Sequence, residues 1–374
     1  MKERIKKKEL QKLIENSFLG LAMGDALGVP VEFKSREYLK DNPVKTMIGH
    51  GSHNQEKGTF SDDTSMTLAT AVGLTNKGKD IVPQIAEEFK EWFFKGKYAV
   101  NKNLFDVGIT TQKAIVHYPH NNNFTSNYKN NGNGSLMKII PLAFYMYNKK
   151  EYNTIEERKK LVYAVSSITH SHIIAKICCV IYVEIALEII NRKLSKTFKF
   201  GDLLDVMQEK IAEVYNSYSL DTEAEKYISE FNNIFYYHFF DFTSDDIQSS
   251  DDIQSTGYVI DTLESVLWCI TNTKSYSEAV VTAVNLGGDT DTIGSLVGGL
   301  AGIIYGDLNS NSYEINFEGR DDIVEKDKAL SKSKLYNSLA KYREEDWLDT
   351  YWIEDLKEKS MILKIAKKFS KVCG

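Results

Sequence analysis

Residues 285–306, NLGGDTDTIGSLVGGLAGIIYG, place glycine at 294, 298, 302 and 306 along an apolar run that opens on Asp289 and Asp291. Glycine costs about 0.8–1.0 kcal/mol against alanine at each helix-interior site. Four of them at i, i+4 spacing narrow what this segment can be. Either the helix carries a bare ridge for another backbone, or it tolerates glycine for local packing. Gly20, Gly24 and Gly28 in GLAMGDALG form a second row of the same period. Bare ridges let helix backbones approach closely, and crowding of that kind would draw the acidic mouths at the helix ends together.

The rest of the chain is dominated by helical periodicity. TSMTLATAVGLTNKG, VPQIAEEFKEWFFKG, LVYAVSSI, the 173–190 run, YVIDTLESVLWCI and SYSEAVVTAVNLG all fit a 3.6-residue repeat better than alternation. Two asparagine-rich stretches, HNNNFTSNYKNNGNGS and LNSNSYEIN, have the composition of loops. An all-α single domain spanning 1–374 follows. Residues 191–256 differ, being aromatic, polar and acidic and ending in the tandem SDDIQSSDDIQS. That duplication is short low-complexity sequence, expected to be an exposed insertion or a partly ordered loop.

A net charge of −6 gives no reason to expect nucleic acid or an anionic membrane as partner. The basic start MKERIKKKELQKL is expected to be a solvated helix face, because Leu10, Leu13, Ile14, Phe18 and Leu21 recur at helical spacing. The run IIAKICCVIYVEIALEII carries Lys176, Glu184 and Glu188, which favours a core helix over a membrane span. Cys178, Cys179, Cys269 and Cys373 form no CxxC, so reduced thiols and a cytoplasmic location are expected, with the protein a monomer.

Two segments carry paired carboxylates and a hydroxyl at a helix start. In GTFSDDTSM, Ser61 is an N-cap and Asp62 and Asp63 fall in the first turn, where the helix dipole favours negative charge. Asp289, Asp291 and Thr292 enter the glycine-rich helix in the same way. Carboxylates converging in a core would repel one another and raise each other's pKa unless a cation neutralised them. Oxygen-only ligands suit Mg²⁺, Ca²⁺ or Mn²⁺ and disfavour zinc. Glu32, which closes the first glycine segment, is a further candidate ligand or base.

The motifs GLAMGDALGVPVEF, GTFSDDTSM, FDVGITT, GNGSLMKIIPLA, ITHSH, GYVIDTLESVLW and VNLGGDTDTIGSLVGGLAGIIYG stand in the order found in ADP-ribosylglycohydrolases. The chain resembles that family over roughly residues 15–306, with 191–250 matching poorly. The resemblance implies an all-α bundle around a binuclear Mg²⁺ or Mn²⁺ centre. Its ligands match Ser61, Asp62, Asp63, Asp289, Asp291 and Thr292 here, with serine 61 where threonine is usual. Glu32 matches an acidic residue that sits at the metals in some members, and Asp106 matches the carboxylate assigned to catalysis in arginine-directed bacterial members. Gly132, Asn133, Gly134 and Ser135 are the candidate diphosphate turn, His170 matches a histidine near the ligand, and Tyr258 an aromatic residue against adenine. His172 lacks such support and is expected to be a surface or helix-start histidine.

The resemblance implies a hydrolase that removes ADP-ribose from modified protein side chains, arginine foremost because of FDVG. Hydrolysis of O-linked ADP-ribose, on serine or as O-acetyl-ADP-ribose, is the second enzymatic alternative. A non-catalytic ADP-ribose-binding or immunity protein is the alternative from another class.

Overall fold

The computed structural model describes residues 2–76, 80–120, 125–218, 221–234, 250–306 and 349–373. Among them the regular structure is helical, joined by 3-10 turns and two isolated β-bridges. In chain order the α-helices begin with α1 (Lys2–Gly28), α2 (Arg36–Asp41), α3 (Asp62–Thr75), α4 (Ile81–Lys95) and α5 (Ile109–His117). Then come α6 (Pro141–Met146), α7 (Ile155–Ser166), α8 (Ile173–Ser195), α9 (Leu203–Ser217) and α10 (Thr222–Glu225). The last are α11 (Val259–Thr271), α12 (Tyr276–Asn285), α13 (Thr290–Tyr305), α14 (Asp349–Asp355) and α15 (Lys359–Phe369).

The axis of the bundle is the pair α1 and α13, laid antiparallel along their glycine ridges. A Cβ on Gly20 would overlap the carbonyl of Gly298, and one on Gly24 the carbonyl of Gly294. The two backbones therefore touch where a larger residue would hold them apart. Polar groups fill the seam: Ser17 Oγ donates to Gly299 O at 3.0 Å and Thr290 Oγ1 to Gly28 O at 2.8 Å. Because the pair is antiparallel, the C-terminal end of α1 lies beside the N-terminal end of α13. That is the end where both glycine rows meet their carboxylates.

The surrounding helices follow their apolar faces. In α4, Asp80 caps the start, Ile85, Ala86, Phe89 and Trp92 form the buried stripe, and Gly96 closes the end at φ 67°. Thr154 and Glu157 make a reciprocal capping box on α7. Helix α8 is apolar over most of its surface and correspondingly buried. Its Glu184 accepts two hydrogen bonds from the Arg158 guanidinium, at 2.6 and 2.7 Å, and so tolerates the core. No described helix is long and apolar enough to cross a membrane. Leu10, Leu13, Ile14, Phe18 and Leu21 are all buried, while Lys6, Lys7 and Lys8 are exposed, as the spacing predicts. Near the C-terminus, α15 stacks Phe369 on Phe18 with ring centroids 5.9 Å apart. The four cysteines are free and buried.

In the 191–256 stretch, α9 buries Leu203, Val206, Met207, Ile211 and Val214. Of the tandem duplication, residues 244–249 lie outside the described residues, as does the whole LNSNSYEIN stretch at 308–316. The described remainder is docked as well as exposed: Asp251 and Asp252 face solvent, but Ile253 is buried. Arg36 donates to the carbonyls of Ser250, of Ile253 at 2.6 Å, and of Leu286 at 2.9 Å. One side chain thus fastens the end of the stretch to the turn before Asp289.

Candidate active site

Ser61 is extended at φ −91° and caps α3, its hydroxyl accepting from Asp63 N–H at 3.3 Å and donating to Asp63 Oδ2 at 3.1 Å. This helix start is held from behind by Asp25 of α1. Asp25 Oδ1 accepts from Ser61 N–H at 2.8 Å, and Oδ2 accepts from the Thr64 amide at 3.0 Å and its hydroxyl at 2.6 Å. Burial pushes the Asp25 carboxyl up to about 7 despite those donors. Asp25 is a site-building residue that the motif comparison passed over; the available signal was a lone carboxylate in an apolar helix, which must find donors.

The second acidic start reaches the first. Thr292 Oγ1 of α13 donates to Asp63 Oδ2 at 3.2 Å, and Thr292 N–H to Asp291 Oδ1 at 2.9 Å. Gly287 and Gly288 turn the chain at φ 78° and 73°, and a Cβ on Gly288 would strike the Ser255 carbonyl. Paired backbone bonds, Phe33 N–H to Gly288 O at 2.8 Å and Gly288 N–H to Lys34 O at 2.9 Å, tie this turn to the segment after Glu32. Glu32, Asp289 and Asp291 each offer an oxygen within 4.8 Å of the others, and Glu32 does so again with His53 and Asp106. Glu32 accordingly joins two groups of donors.

The cluster is starved of compensating charge. Burial first, then the neighbouring carboxylates, push Asp62, Asp63 and Asp291 well above the usual range, and Glu32 up to about 10. Asp106 is raised by burial and by Asp289, against the opposing pull of His53. Among the described residues, no hydrogen-bond partner reaches the buried oxygens Asp63 Oδ1 and Asp291 Oδ2. Unpaired buried oxygens on crowded carboxylates are costly, and a hard divalent cation is the partner that such a donor set fits.

Beside this cluster the turn Asn133–Ser135 pairs with the start of α11. Asn133 N–H donates to Gly257 O and Val259 N–H to Asn131 O, both at 3.0 Å, bridging Gly132 to Tyr258. Asn133 Nδ2 donates to Asp289 Oδ2 at 2.8 Å and to Thr262 Oγ1 at 3.0 Å. His170 is buried behind the turn, where a Cβ on Gly134 would meet its ring. Burial, then the charge of Lys138, presses its pKa to about 3, so it is neutral and accepts or donates one bond with Thr169 Oγ1 at 3.0 Å. Tyr258 is half-buried and donates to Glu230 Oε2 at 2.5 Å. Ser135 closes the turn with its hydroxyl in the core, 3.5 Å from Cys179 Sγ. His172 starts a helix but is not at the surface; it caps α8, is buried, and packs edge-on against Tyr227 at 4.8 Å.

A cleft of about 670 Å³ opens beside Asp289, with Phe33, Arg36 and the Ser255–Gly257 segment in its walls. Two further residues carried no signal of their own in the sequence. Lys138, wholly buried, donates to Gly134 O at 2.6 Å and to Thr169 Oγ1, bracing the turn and the histidine together. His53 Nε2 bonds Glu32 Oε2 and lies 3.9 Å from Asp106 Oδ1.

Residues 6–309 match the family model described as ADP-ribosylglycohydrolase. The ADP-ribosylarginine hydrolase Tri1 of Pseudomonas putida is 28% identical over 297 residues, covering 78% of this chain and 70% of the relative. The ADP-ribosyl-dinitrogen reductase glycohydrolase of Rhodospirillum rubrum is 29% identical over 294 residues, covering 78% of this chain and 84% of the relative. A solved structure described as an ADP-ribosylglycohydrolase-related protein complex superposes with a TM-score of 0.65 at 22% identity, over 98% of this chain and 99% of that one.

Proposed function

We propose, from the premise that the chain belongs to the ADP-ribosylglycohydrolase family, that this enzyme is a metal-dependent hydrolase releasing ADP-ribose from modified arginine side chains of proteins. The observation that carries the metal dependence is the meeting of two acidic helix starts at the Thr292–Asp63 bond, with Asp63 Oδ1 and Asp291 Oδ2 left without donors. Ser61, Asp62, Asp63, Asp289, Asp291 and Thr292 would hold two Mg²⁺ or Mn²⁺ ions. Such ions supply Lewis-acid polarisation and orientation of ribose oxygens.

The chain's own groups divide the remaining work. The peptide groups of the Gly132–Ser135 turn would receive the diphosphate, with Asn133 also anchoring Asp289. Neutral His170 backs that turn, and the Tyr258 ring would lie against the adenine. Hydrolysis breaks the bond between the ribose carbon and the guanidino nitrogen; the water oxygen goes to carbon, and a proton goes to the leaving nitrogen. Asp106, a carboxyl raised above its ordinary range beside Glu32, is suited to hold and deliver that proton. Glu32 is the second proton carrier, oriented by His53.

Arginine as the acceptor is supported by the FDVG motif and by the 28% identity to an ADP-ribosylarginine hydrolase. The test is to offer the purified protein ADP-ribosyl-arginine and ADP-ribosyl-serine peptides, with Mg²⁺, Mn²⁺ or EDTA, and measure free ADP-ribose. Release from the arginine peptide only, abolished by EDTA, is expected. Release from serine alone, or undiminished release in EDTA, would overturn the assignment.

A further inference from the structure

The two carboxylates assigned to proton transfer share an arrangement that their role does not require. Each has a phenylalanine as chain neighbour: Glu32 precedes Phe33, and Asp106 follows Phe105. Phe33 holds φ 64° and Asp106 φ 57°, left-handed conformations uncommon for residues with a side chain. The Phe33 conformation is held by the hydrogen bond that its N–H donates to Gly288 O at 2.8 Å. Its consequence is that the Phe33 ring is 72% exposed, although glutamate 32 beside it is buried. His53 spans the gap, with its ring centroid 6.0 Å from Phe33 and 5.2 Å from Phe105. Three rings thus stand together beside Glu32 and Asp106. The turn containing Asn133 meets the acidic cluster elsewhere, at Asp289.

We propose that Phe33, His53 and Phe105 form the acceptor subsite, an aromatic rim that holds the planar guanidinium of the arginine from which ADP-ribose is removed. This rests on the arginine reading above and names the residues that would enforce it. A guanidinium is weakly hydrated and stacks on aromatic faces, and flanking carboxylates add charge complementarity. A serine acceptor offers neither a plane nor a charge, so the rim would discriminate by linkage. Backbone strain held beside a functional carboxylate, with a large apolar ring turned to solvent, is accounted for if that ring has a ligand.

The experiment compares the Mg²⁺-loaded full chain with Phe33→Leu, Phe105→Leu and Phe33→Tyr. Leucine keeps an apolar side chain but removes the π face; tyrosine keeps the face. Each leucine variant is expected to raise KM for an ADP-ribosyl-arginine peptide about 5- to 10-fold, with kcat changed less than 2-fold. Phe33→Tyr should retain the parent KM, and the Kd for free ADP-ribose by isothermal titration should stay within 2-fold throughout. Unchanged KM in both leucine variants, or an equal loss of ADP-ribose affinity, overturns the subsite. A binding readout stands independently of turnover: saturation-transfer NMR with methylguanidinium on the ADP-ribose-saturated protein should give a signal that both leucine variants weaken. No signal from the parent, or one that the variants leave intact, refutes the rim. An enzyme that hydrolyses only the serine peptide yet binds methylguanidinium through these rings would sink the arginine reading alone.

Discussion

Gly24→Ala isolates the packing on which the site depends. Alanine is favoured over glycine within a helix by about 1 kcal/mol, so a loosely packed position would be stabilised. At Gly24 the added Cβ would overlap the Gly294 carbonyl carbon and oxygen, which are backbone atoms of α13 and cannot rotate away. Overpacking of a well-filled core costs about 1–3 kcal/mol, and relief here requires two long helices to separate, which places the cost at the upper end. The expected result is a net loss of about 2 kcal/mol in urea unfolding. Gly201→Ala supplies the control, because a Cβ there meets nothing within 4 Å; it should be neutral or stabilising by a few tenths of a kcal/mol. Separation of α1 from α13 would also pull Asp289–Thr292 away from Asp63, so Mn²⁺ affinity should fall in Gly24→Ala and not in Gly201→Ala. A Gly24→Ala protein as stable as its parent, with undiminished Mn²⁺ affinity, would refute the claim that ridge contact sets the geometry of the site.

The other predictions concern chemistry and ions. Asp106→Asn should retain ADP-ribose affinity by isothermal titration while single-turnover release drops by about 10²–10⁴-fold; Asp291→Asn should weaken Mn²⁺ binding and turnover together. EDTA should lower the melting temperature of metal-loaded protein, since a cation at 100 times its Kd contributes about 2.7 kcal/mol by mass action; an unchanged melting curve would count against metal bound in the fold. His170, pressed to about 3, lies below the unfolded value of about 6.5, so the unfolded chain takes up its proton first as pH falls. Its contribution is complete above pH 6.5 and is lost between there and pH 3; His170→Asn should flatten the acid limb of the stability curve over that window, and an identical limb would show that another group governs it.

Local rules were legible wherever near neighbours decide the outcome. The helical class follows from periodicity, the Ser61 cap from a hydroxyl followed by two carboxylates, and the bare ridges from glycines four residues apart. That the 173–190 run is a core helix also follows from its charges, while the partner of Glu184, Arg158, is visible only in the structure. What required the tertiary structure was which ends meet. The antiparallel pairing of Gly24 with Gly294 carries Glu32 and Asp289 to the same end of the bundle, and Asp25 then clamps the α3 start onto it. Likewise His53 and Lys138 are ordinary residues in sequence, distinguished only by partners far away in the chain. The Ser135 hydroxyl meets Cys179, a partner that its own motif does not name. Helix period and capping are set by residues a few positions apart; convergence of carboxylates is set by packing between segments more than 200 residues apart, and no local pattern encodes that distance.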